Sequence, residues 1–134
     1  MSIACFADLL DEARRQPEPQ RLLFVFARAE LPDHPDAAQR ERFEQGQGGV
    51  LAPVLCVDKT LDELSDMAAL VEESRRTEVE WDIVFAAALA GDGRQPPSSD
   101  EAEQPLQRMV ESLQQGTIDN FLAFDRKGDA VSFH

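Results

Sequence analysis

Asp58 and Asp125 have the clearest chemical potential in this chain, because each closes an apolar run and each is followed by a base, Lys59 and Arg126. Two carboxylates in different environments can divide acid and base work, provided the fold brings them to one place. They occupy matching positions in two related stretches, GVLAPVLCVDK at 49–59 and GTIDNFLAFDR at 116–126. As ends of opposite outer strands they would lie far apart and act as turn-forming aspartates. That is the expectation, and no catalytic residue is assigned.

A second candidate is GDGRQPPSSD, residues 91–100, which runs into the start of an expected helix. Glycines before a helix N-terminus leave backbone N–H groups open to an anion. Gly91, Gly93, Arg94 and Asp100, with Asp36 from an earlier loop, are therefore the candidate ligand-binding residues. The spacing matches neither the dinucleotide fingerprint nor the P-loop, so a plain connecting loop is the stronger expectation.

The other reactive types stand alone. His34 and His134 have no Cys, His or carboxylate at a metal-ligand spacing, so neither a metal nor a cofactor is expected. Cys5 and Cys56 form no CxxC, and each lies in an apolar run, where a thiol packs as a small buried hydrophobe. Ser98 and Ser99 sit where serines cap helices, with no Gly-x-Ser-x-Gly elbow around them. Trp81 and the exposed side of the last strand suit a contact surface better than a reaction centre.

Twenty-six acidic against thirteen basic residues give this 134-residue chain a net charge of −13. Such a field repels phosphate backbones and anionic headgroups over about 8 Å in physiological salt. Neither direct nucleic-acid binding nor membrane association is expected. No apolar run approaches the ~20 residues of a membrane span. MSIACFADLLDEARR is amphipathic rather than a secretory signal, and a cytoplasmic protein is expected.

The elements that must position these residues follow from periodicity. Ile3, Phe6, Leu10 and Ala13 predict a helix over 3–16, stopped by Pro17 and Pro19. Residues 22–29, LLFVFARA, open with six apolar residues, as a strand covered on both faces should. Asp36 and Gln39 fit a capping box for a short helix, and a strand follows, best at 54–57 because Pro53 cannot donate to a ladder. Thr60 and Glu63 predict a second capping box and a helix over 61–76, before the apolar strand 82–90. Asp100 and Glu103 are expected to cap a helix closed by Gly116, followed by strands 121–124 and 130–133 in a hairpin.

Two halves repeat. Ala7 to Arg15 align without gaps on Ala68 to Arg76, with Leu9 on Leu70 and Arg14 on Arg75, and the same frame places Phe24 on Phe85. Each half reads helix, strand, helix, strand, over about 3–59 and 61–126, within a single domain of residues 1–134. A strand, helix, strand unit is normally a parallel crossover. The expected fold class is therefore α/β, a mainly parallel sheet of order 2-1-3-4 with an antiparallel C-terminal edge strand. The alternative is a mixed-sheet α+β sandwich in which the halves pair antiparallel. In the parallel version a ligand crevice forms where the loops after the two central strands meet.

RLLFVFARAELPD, LCVDKTLDELSDMAALVEESR and SDEAEQPLQRMVESLQQG resemble a family of short proteobacterial proteins, some of them labelled ribonucleotide reductase subunit alpha. The resemblance spans nearly the whole chain, implies no activity and carries over no catalytic residue. Such a reductase is a far larger barrel with several redox cysteines, whereas this chain has two isolated ones.

These readings converge on a non-catalytic cytoplasmic protein-interaction or regulatory module with a basic protein partner. The alternatives are a small-ligand protein or minor enzyme using the central-strand crevice, and an acidic mimic of nucleic acid. The short edge strand at 130–133 leaves room for a homodimer.

Overall fold

The computed structural model describes residues 3–30, 36–44, 50–91, 94–115 and 121–131. His34, Gly93, His134 and the second half of the expected strand 130–133 lie outside them. The elements are α1 (Phe6–Arg15), β1 (Gln20–Glu30), α2 (Ala37–Glu44), β2 (Val50–Thr60), a 3-10 turn (Leu61–Glu63), α3 (Met67–Arg75), β3 (Ile83–Ala90), α4 (Ser99–Gln114) and β4 (Leu122–Phe124).

The sheet has the order β2-β1-β3-β4, and every adjacent pair is antiparallel. This is an α+β fold and overturns the mainly parallel α/β sheet expected from the sequence. The lateral order is the anticipated one, but the strand directions are not. The α+β alternative, with its halves paired antiparallel through β1 and β3, is the nearer one; only its mixed sheet fails, because among the described strands no adjacent pair is parallel.

The physical reason lies in lengths. Glu30 pairs with Val50 and Arg21 with Thr60, so β2 returns directly alongside β1. The eight residues of α2 reach only about 12 Å, whereas the eleven of β1 span roughly 36 Å. The helix decorates a long hairpin connection and does not carry the chain back across the sheet. Pro53 does not end β2 as expected; the strand continues to Val50 through a register shift between Phe26 and Ala27. An outer strand tolerates a proline beside such a bulge.

β1 is apolar from Leu22 to Ala27 because helices cover both of its faces there. Leu22, Phe24 and Phe26 share one core with Phe6, Leu9 and Leu10 of α1, Met67 and Leu70 of α3, and Trp81. Leu23, Val25 and Ala27 share the other with Ala102, Met109 and Leu113 of α4. Phe6 packs edge-on against Phe124, with ring centroids 5.6 Å apart. Each large side chain buried this way contributes roughly 1.5–3 kcal/mol, so β1 anchors both layers.

Positions that the sequence alignment matched are buried alike in the two helices but not in the strands. Phe6 and Met67, Leu9 and Leu70, and Ala13 and Ser74 are buried at matching positions of α1 and α3. Phe24, however, faces the α1–α3 layer and Phe85 the α4 layer. The ungapped match of Phe24 with Phe85 is therefore off by one residue, which in a strand exchanges the faces.

Several helix starts differ from expectation. Thr60 and Glu63 bracket only the 3-10 turn, and α3 begins at Met67, where the Asp66 side chain accepts from Ala69 N–H. In α4 the cap is Ser98, accepting from Glu101 N–H, rather than Asp100 with Glu103. The turn after β4 closes through a bridge between Phe124 and Ala130. Ala130 N–H donates to Ala4 O, and Phe6 N–H to Gly128 O. The N-terminal segment is thereby tied to residues 128–130 of this turn.

Candidate functional site

The crevice expected between the central strands does not form. β1 ends at Glu30, whereas β3 ends at Ala90, which pairs with Gln20 at the start of β1. The loops after these strands leave from opposite ends of the sheet, about 33 Å apart over ten residues. Asp36 precedes α2, and its carbonyl accepts from Arg40 N–H. Gly91, Arg94 and Asp100 belong to the other end.

Gly91 has a packing role. Its N–H donates to Pro19 O at 2.8 Å. A Cβ there would overlap the Gln95 carbonyl oxygen and come within 2.8 Å of Pro96 Cα. Arg94 and Asp100 are exposed, the latter in the first turn of α4.

At this end of the sheet the structure builds a polar cluster that the sequence reading missed. Arg21 donates from Nη1 to Asp58 Oδ2 at 2.6 Å and from Nε to the Pro97 carbonyl at 2.6 Å. The hydroxyl of Ser99 donates to Asp58 Oδ1 at 3.1 Å. Asp58 faces Leu23, and Arg21 faces Thr60, on the face covered by α4. The start of β1, the end of β2 and the entry to α4 are thereby tied together.

Glu63 lies 4.0 Å from Arg21 Nη1 and accepts from the N–H and the hydroxyl of Thr60, both at 3.0 Å. These two Thr60 donors, with smaller help from the Lys59 and Arg21 charges, hold its carboxyl below the usual range. The available signal was Arg21 itself, a charge directly before the apolar run 22–27; charges in such places are paired. Among the described residues no buried side-chain nitrogen or oxygen lacks a hydrogen-bond partner, which fits an anchor better than a reaction centre.

Asp125 does not approach it. β2 and β4 are the outer strands, three spacings apart, or about 14 Å across the sheet alone. Asp125 Oδ1 accepts from the N–H groups of Lys127 and Asp129 and shapes the turn. Asp58, by contrast, is a strand residue rather than a turn former.

Trp81 is a core residue, 2% exposed, and does not form the contact surface expected of it. Its indole N–H donates to Ser74 Oγ at 2.9 Å, its ring meets Phe26 edge-on, and the Arg126 guanidinium lies 5.1 Å from the ring centroid. Cys56 is exposed and Cys5 half-buried, so neither is the buried thiol expected. Cys56 lies within the outer strand β2, opposite Val25, where partial desolvation pushes its thiol up from the ordinary value.

A groove of about 360 Å³ runs between α1, the start of α3 and the 125–129 turn. It is lined by Phe6, Leu10, Met67 and Gly128 and rimmed by Arg14 and Lys127. Among the described residues no group of three or more His, Cys, Asp or Glu is placed to hold a metal. Among them, too, no helix is long and apolar enough to cross a membrane. No family model, curated protein or solved structure matches the chain.

Proposed function

We propose that the protein is a non-catalytic protein-interaction module that meets a basic partner through the α3 layer. One observation carries this reading. Between residues 61 and 82, Asp62, Glu63, Asp66, Glu72, Glu73, Glu78, Glu80 and Asp82 are all exposed, against two exposed arginines, Arg75 and Arg76. Concentrated charge of one sign steers an oppositely charged partner and sets the salt dependence of binding. α1 and α4 interleave their carboxylates with Arg14, Arg15 and Arg108. A phosphate-like row along one face, as mimicry of nucleic acid requires, therefore gains no support.

The test compares proteins captured from a lysate of the source organism by the wild type and by an Asp62→Lys/Glu78→Lys/Glu80→Lys variant. A partner held by the wild type, released by salt and lost from the variant supports the reading. Capture insensitive to both would contradict it.

A second reading, binding of a small ligand, rests on the groove beside Leu10 and Met67. It requires amide shifts confined to α1, the start of α3 and residues 125–129 when metabolite mixtures are titrated in. Shifts elsewhere, or none, would remove it.

A further inference from the structure

We draw no further inference here: the strongest candidate, the groove between α1, the start of α3 and the 125–129 turn, is rimmed by Arg14 and Lys127 as well as by Asp11, Asp66 and Asp129, so its charge selects no occupant and nothing in the structure shows what fills it.

Discussion

Breaking the Arg21–Asp58 pair should destabilise the fold far more than an ordinary surface ion pair would. At 2.6 Å the gross attraction is about 6 kcal/mol for an effective dielectric constant near 20. Desolvation opposes it, because the two side chains are only 13% and 18% exposed. Asp58→Asn leaves the Arg21 charge with only Glu63, at 4.0 Å, as an acidic neighbour and weakens the acceptor for Ser99. A cost of about 2–3 kcal/mol is expected. Arg21→Met should cost a similar amount, since it also frees the Pro97 carbonyl. The double variant should lose less than the sum, with a coupling of about 1.5 kcal/mol. Urea unfolding followed by far-ultraviolet circular dichroism measures all four corners of the cycle, each single change lowering the midpoint by about 1 M. Single costs below about 0.5 kcal/mol, the range of exposed pairs, or strict additivity, would refute the anchoring role.

Ser74→Ala removes the acceptor of the buried Trp81 indole N–H and should cost about 1–2 kcal/mol, accompanied by a shift in tryptophan emission; an unchanged midpoint would mean that the bond contributes nothing. Gly91→Ala forces a methyl group into the backbone at Gln95 and Pro96, so a loss above about 2 kcal/mol is expected, and a neutral result would show that this loop packs differently. The depressed carboxyl of Glu63 adds stability that is present above its unfolded value, about 4.3, and is lost as pH falls through the lower folded value. Glu63→Gln should therefore be less stable than wild type at pH 7, with the gap closing below pH 4; a gap constant across that range would assign the effect to something other than titration.

Much of the fold was legible because local rules agreed with it. The apolar stripe of α1 and the six apolar residues from Leu22 to Ala27 in β1 each named an element and its buried sides. Strand direction was not legible. Continuous apolarity in β1 reports cover on both faces, and helices on both sides of an antiparallel sheet supply that as readily as parallel crossovers do. The same ambiguity misplaced the site, since the crevice beside Gly91 and Asp36 depended on parallel central strands. Trp81 was misassigned because a tryptophan before a strand reads equally as an interfacial residue or as a core anchor. Its bond to Ser74, across the turn that follows α3, decides for the core. Asp58 was singled out for the right residue type, but its partner Arg21 lies thirty-seven positions away, a separation no local pattern links.

The antiparallel pairing of β1 with β3 is the claim on which the rest depends, because it abolishes the strand-end crevice and turns the candidate chemistry at Gly91 and Asp58 into architecture. Nuclear Overhauser spectroscopy tests it directly. The pairing predicts strong Hα–Hα cross-peaks at alternate facing pairs, either Leu22 with Ala88, Phe24 with Ala86 and Phe26 with Val84, or Leu23 with Ala87 and Val25 with Phe85. Absence of both sets, with staggered amide contacts linking the two strands in the same direction, would contradict it.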